Sequence, residues 1–136
     1  MTFTSLLPSR RNHGSGFSLI EMLAAVAIIG IISFLALPNL IKMRSDSEKN
    51  MAISRAEAVN MAMATLVQTR GRTQAASDWS GASSHDAKYL LVAPYLSFSE
   101  STRANYMPNG YSIEFPTTID PLKKVTLKQS TTVVAY

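Results

Sequence analysis

Cysteine is absent from this 136-residue chain, which excludes a disulfide, a thiolate metal site and a cysteine nucleophile. Histidine is nearly absent, with only His13 and His85. No His-rich metal spacing and no phosphate-cradling glycine loop can be found. Serines stand near His85 and Asp86, but a nucleophile triad needs groups converging from several places, and one loop rarely supplies that. The chain therefore reads as no enzyme, and no cofactor is expected. A strong excess of one charge is missing as well. The totals are 13 Lys+Arg against 9 Asp+Glu, a formal net charge of +4. Arg10 and Arg11 lie in the first sixteen residues, where there is no acid, so the rest holds 11 against 9. Nucleic-acid binding normally needs a clustered basic face, and no nucleic-acid partner is expected.

What the chain does have is one long apolar run. Residues 17–37 read FSLIEMLAAVAIIGIISFLAL, with Glu21 as the single charge. As a helix at about 1.5 Å per residue this run covers roughly 30 Å, the hydrocarbon thickness of a bilayer. Its apolar residues lie all round the helix, as lipid contact or deep burial requires. Fewer than 100 residues follow it, too few to bury such a helix, so lipid is the better host. A domain that small has only marginal stability of its own. A cleaved secretory signal fits less well, because its apolar region is about 7–15 residues and uncharged. A twin-arginine signal fails at Asn12 and His13, which follow the arginines where apolar residues belong.

Glu21 is what an ordinary membrane anchor leaves unexplained. A charge at the bilayer centre costs about 2.5–3.5 kcal/mol on insertion scales, and less near the end of the span. The run contains no Lys or Arg that could pair with it. A cut just before Phe17 would create an α-amino group one helical turn away, on the same helix face as Glu21. The amine could equally pair with Glu21 of a neighbouring copy.

Gly16-Phe17-Ser18-Leu19-Ile20-Glu21, behind a basic leader and ahead of the apolar helix, resembles the processing motif of the type IV pilin superfamily. That superfamily includes the pseudopilins of type II secretion systems. Gly30 and Pro38-Asn39 also match its spacing, and the likeness covers about residues 10–45. The resemblance implies that a prepilin peptidase removes residues 1–16 as a leader, cutting between Gly16 and Phe17, and N-methylates Phe17. It implies that Glu21, the fifth mature residue, pairs with the amine of an adjacent subunit during filament assembly. The implied partners are copies of itself or related pilins, membrane lipid, an assembly platform protein and a separate ATPase. The implied location is the bacterial inner membrane, single-pass, with the C-terminal part outside the cytoplasm, then a filament in the periplasm or at the cell surface. Orientation rests on the resemblance alone, since Lys42, Arg44, Lys49 and Arg55 outnumber the leader's two arginines near the span. The missing cysteine pair and short outer part point toward a secretion pseudopilus rather than a pilus. Glu21 sets the chain apart from the tip class of pseudopilin that lacks this acid. Some major pseudopilins hold calcium in C-terminal loops. Asp78, Asp86 and Asp120 are oxygen donors here, but their spacing matches no calcium loop, and no metal site is assigned. A plain single-pass anchor carrying an outer binding domain is the alternative.

Beyond the span, Pro38 marks a helix kink, because it lacks an N–H and crowds the preceding turn. Helix formers continue to about Arg70, giving one helix of roughly 80 Å. Residues 17–38 are its membrane and filament-core part and 39–70 its exposed continuation. Ala52, Ala56, Val59, Met63 and Leu66 recur at steps of four and three, which predicts one narrow face packed on the C-terminal part. Residues 71–136 read as a loop followed by a small β domain. Gly71 to Asp86 is small and polar and reads as loop, with Trp79 and His85 as a candidate partner surface. Residues 87–98 read equally as short helix or strand. Pro108-Asn109-Gly110 signals a turn. Strands are expected at 111–115, 123–128 and 131–136, with a tight turn near Gln129-Ser130. The predicted class is α+β, a long N-terminal helix packed against a small antiparallel sheet.

Overall fold

The computed structural model describes residues 16–136, so the expected leader, apart from Gly16, lies outside the described residues together with Arg10, Arg11 and His13. The chain divides between Ile41 and Lys42 into two units. Helix α1, Leu19–Arg70, contributes to both.

In the first unit, every described residue is exposed. Large apolar side chains from Phe17 to Leu40 face outward, and none of the window that qualifies as a membrane span is buried. Apolar side chains exposed on all sides need lipid or other copies to cover them. Pro38 stands inside α1, and the residues on both sides of it are helical. Its missing N–H leaves the carbonyl of Phe34, one turn earlier, without its helical donor.

The second unit builds its core on one stripe of α1. Ala52, Ala56, Val59, Ala62, Met63 and Leu66 are all buried, the face that the steps of four and three predict plus Ala62. The alanines keep the stripe low, so neighbouring elements can approach the helix closely. Gly71 ends α1 at φ +80, and its carbonyl accepts Ala75 N–H at 3.0 Å, so the same residue opens the next helix. A left-handed φ there is what glycine supplies without Cβ strain.

Helix α2, Arg72–Gly81, corrects the expected loop. Its composition carries almost no periodic apolar signal, with only Ala75 and Trp79 buried, one turn apart. Tertiary contact holds it. Trp79 is buried, meets Phe115 edge-on at 5.6 Å, and its indole N–H donates to Pro116 O at 3.1 Å. Asp78 ties the helix back to α1 through Arg70 at 2.7 Å and accepts from Gln74 at 2.8 Å. The undecided stretch resolves as helix α3, His85–Val92, and a single 3-10 turn, Ala93–Tyr95. Ser84 opens α3 by accepting Ala87 N–H at 3.0 Å, an N-cap. A short α4, Arg103–Tyr106, follows.

The sheet is antiparallel in the order β1-β2-β3, with β1 at Tyr111–Glu114, β2 at Thr126–Gln129 and β3 at Thr132–Val134. Tyr111 pairs with Gln129 and Glu114 with Thr126, while Gln129 pairs with Thr132 across the β2–β3 turn. Tyr111, Ile113 and Leu127 turn inward with Phe115 and Val125. Strand β2 begins three residues later than expected because α1 captures the preceding chain. Val125 N–H donates to Asn60 Oδ1 at 2.9 Å, and Lys124 pairs with Glu57 at 2.7 Å. The class is α+β and pilin-like, as predicted.

Candidate processing and assembly site

Gly16, Phe17 and Ser18 precede the helix in extended or irregular backbone, and α1 begins at Leu19. All three residues are exposed, and Phe17 retains 81% of its accessible surface. Nothing lies within 4 Å of where a Cβ on Gly16 would sit. A peptide bond placed in an uncrowded, non-helical segment is open to a peptidase, since a regular helix would have to unwind first.

Glu21 occupies the first turn of α1. Ser18 N–H donates to Glu21 Oε2 at 2.8 Å, and Glu21 N–H donates to Ser18 Oγ at 3.2 Å. Ser18 O accepts Met22 N–H at 3.2 Å, which begins the helical ladder. Together these bonds form a capping box, in which two otherwise orphaned backbone donors are satisfied reciprocally. The carboxylate also lies at the positive end of the helix dipole, which favours an anion.

Ser18 is therefore the residue that sequence reasoning missed. Its signal was present in Ser18-Leu19-Ile20-Glu21, which has the S-x-x-E spacing of a capping box. The consequence for Glu21 is specific. One carboxylate oxygen has an internal donor one residue beyond the expected cut, and Oε1 accepts no bond among the described residues. A carboxylate can accept bonds at both oxygens, so it can hold the cap and receive an ammonium together. Gly30 also lies in open space along the helix, where an added Cβ would meet nothing within 4 Å.

The candidate residues of the second unit do not converge. Among the described residues no group of three or more His, Asp, Glu or Cys could hold a metal ion. Asp78 is engaged with Arg70, and Asp86 accepts from Arg103 Nε at 2.8 Å. Asp120 is exposed. Trp79 is a core residue, which corrects its reading as a partner surface. His85 Nδ1 accepts Phe115 N–H at 3.1 Å, so the ring closes the outer edge of the sheet beside β1. Arg103 donates to Ile113 O at 2.7 Å and Lys88 Nζ to Pro116 O at 2.9 Å on the same side. These side chains take up backbone groups that a bare edge strand would leave unpaired.

Residues 11–37 match the family model described as the prokaryotic N-terminal methylation motif. The chain carries a prepilin-type signature. This is the signature of type IV pilins and pseudopilins, and it encloses Gly16, Phe17 and Glu21. The prepilin motif implies processing by a prepilin peptidase and assembly into a pilin filament. It indicates a pilin-type structural protein rather than an enzyme family. With the apolar helix that follows, it points to anchoring in the inner membrane. The match ends at Leu37, so it describes the first unit and does not reach the second. Comparison with curated proteins and with solved structures found no match for the chain.

Proposed function

We propose that this protein is a structural subunit of a type II secretion pseudopilus or a related type IV pilus-like filament, stored in the inner membrane until assembly. The observation that carries this reading is the prepilin signature set on the apolar first part of α1, where residues 19–41 are all exposed, with one carboxylate in the first turn. Lipid covers that helix during storage, and other copies cover it in the filament. The peptidase cuts between Gly16 and Phe17 and methylates Phe17. Residues 17–38 then form the membrane span and filament core, 39–70 the exposed continuation of the helix, and 71–136 the outer part. Pro38 allows the helix to bend where the span meets the outer part.

Glu21 links storage to assembly. The free oxygen of its carboxylate receives the Phe17 amine of the neighbouring subunit, a charge-assisted bond of the kind that gains strength in a low-dielectric core. The outer part lies outside the cytoplasm, and the filament grows on a platform protein driven by a separate ATPase. The absence of cysteine from these 136 residues favours the secretion pseudopilus over the pilus.

One observation favours a second reading. The capping box gives Glu21 a partner within its own chain, so a plain single-pass anchor with an outer binding domain can also account for the acid. Intact mass and N-terminal sequencing of membrane-extracted protein separate the two. In the presence of a prepilin peptidase, the chain is expected to start at Phe17 with one additional methyl group. A chain still carrying its leader, beside a control pilin that is cut, selects the plain anchor.

A further inference from the structure

Asn109-Gly110 is the one Asn-Gly pair in the chain, and it fills the centre of the turn that leads into β1. Tyr111 N–H donates to Pro108 O at 3.0 Å, which closes the turn. Gly110 has φ +81, while the backbone of Asn109 keeps a negative φ. That combination is a type II turn, whose third position needs a left-handed φ. Both residues are exposed. A Cβ built on Gly110 would meet nothing within 4 Å, so no neighbour crowds that flank of the turn.

The amide that follows Asn109 sets it apart from the other described asparagines. Asn39, Asn50 and Asn60 lie inside α1, where the next N–H is held in the helical ladder. Asn105 is followed by Tyr106, whose N–H donates to Thr102 O at 3.1 Å. Gly110 N–H donates to no acceptor among the described residues. A cleft of about 170 Å³ borders the pair, and Arg103, Asn109, Gly110 and Ser112 help to line it. The cleft admits water, and Arg103 supplies a cation that favours negative charge forming nearby.

A free backbone nitrogen beside a carboxamide is a nucleophile beside an electrophile. The Gly110 nitrogen, once it has lost its proton to base, attacks Asn109 Cγ. The N–Cγ bond forms, the Cγ–Nδ2 bond breaks, and Nδ2 leaves as ammonia after taking up a proton. One water then opens the resulting succinimide ring. Opening at Cγ gives aspartate. Opening at the main-chain carbonyl carbon gives isoaspartate, with the backbone now running through Cγ. No oxidant, cofactor or enzyme enters the balance. Glycine is the residue that allows it, because it has no Cβ to obstruct the attack.

We propose that Asn109 is a self-modification site, converted in the folded protein through a succinimide with Gly110 to aspartate and isoaspartate. The sheet feels the product. Gly110 O accepts Ser130 N–H at 2.8 Å, and the next residue, Tyr111, is buried and pairs with Gln129. Isoaspartate adds a main-chain carbon between Pro108 O and Tyr111 N–H, so it loosens the closed turn and displaces the start of β1. The chemistry is independent of filament formation.

The test ages full-length, detergent-extracted protein at mildly alkaline pH, with circular dichroism to confirm that it stays folded. The tryptic peptide 104–123 is followed by mass spectrometry, because it holds both Asn105 and Asn109. The expected result is progressive exchange of –NH2 for –OH at Asn109, faster as pH rises, with Asn105 unchanged. Part of the product accepts a methyl group from an isoaspartyl methyltransferase. Asn109→Gln abolishes the exchange, since its larger ring closes far more slowly. The isoaspartate form has a lower denaturant midpoint than Asn109→Asp, which carries the same charge on an unaltered backbone. An Asn109 that keeps its amide as long as Asn105 does overturns the proposal, and so does loss that occurs only in urea. Aspartate without isoaspartate also overturns it, because direct hydrolysis needs no ring. Equal midpoints for the isoaspartate and Asn109→Asp forms overturn the link to the sheet.

Discussion

At the scale of single residues, Glu21 is asked to do two things, and the geometry lets them be separated. Its Oε2 caps the helix through Ser18 N–H, while Oε1 accepts no bond among the described residues. A glutamine keeps a carbonyl oxygen for the cap but loses the charge that an ammonium needs. Glu21→Gln and Glu21→Ala are therefore both expected to enter the membrane and be cut at Gly16, yet to give few sedimentable filaments. If the Gln variant assembles as well as the parent, capping is the whole role of this residue and the amine pair is wrong. Ser18 belongs to the same account, since its hydroxyl completes the box.

At the scale of elements, the joint at Gly71 decides where α1 stops and α2 starts. Gly71 has φ +80, and a Cβ built there would meet nothing within 4 Å. Any cost of adding a side chain is thus conformational, not steric crowding. Gly71→Ala should destabilise the second unit by about 1 kcal/mol, the usual cost of forcing a non-glycine residue to positive φ, read as a lower denaturant midpoint. An unchanged midpoint would show that α1 and α2 can rejoin through another backbone path. Helix α2 depends on tertiary support more than its neighbours do, because its buried side chains reduce to Ala75 and Trp79. The same weakness explains why composition alone reads this segment as loop.

For the whole molecule, the second unit is tied together by partly exposed ion pairs that join separate elements. Lys124 beside Glu57 and Arg70 beside Asp78 hold those carboxyls below their usual range, and Lys128 does the same for Glu114. Carboxylates whose folded pKa is depressed add stability that is present above their unfolded pKa and lost as pH falls through the folded one. The melting temperature of the detergent-extracted protein is therefore expected to hold near neutrality and to fall once the pH drops below the ordinary carboxylate range. All three are open to solvent, so added salt should shrink the effect. Thermal melts followed by circular dichroism between pH 7 and pH 3 check this. A triple variant with Glu57→Gln, Asp78→Asn and Glu114→Gln should show a flatter profile, and an equally steep one would assign the acid sensitivity elsewhere.

The sequence by itself determined whatever depends on local chemistry and periodicity. The apolar run with its single acid, the buried stripe at steps of four and three, the helix stop at Gly71 and the turn at Pro108-Asn109-Gly110 are all written in neighbouring residues. The capping box was legible in the same way at Ser18 and Glu21. Tertiary structure alone decided α2, the late start of β2, the burial of Trp79 and the pairing of His85 with the Phe115 backbone. Each of these depends on a partner far along the chain: Trp79 on Pro116, Val125 on Asn60, Phe115 on His85. Spacing along a sequence reports which face a residue takes within its own element. It carries no record of which distant backbone group that face will meet, because that is settled only when the whole core packs.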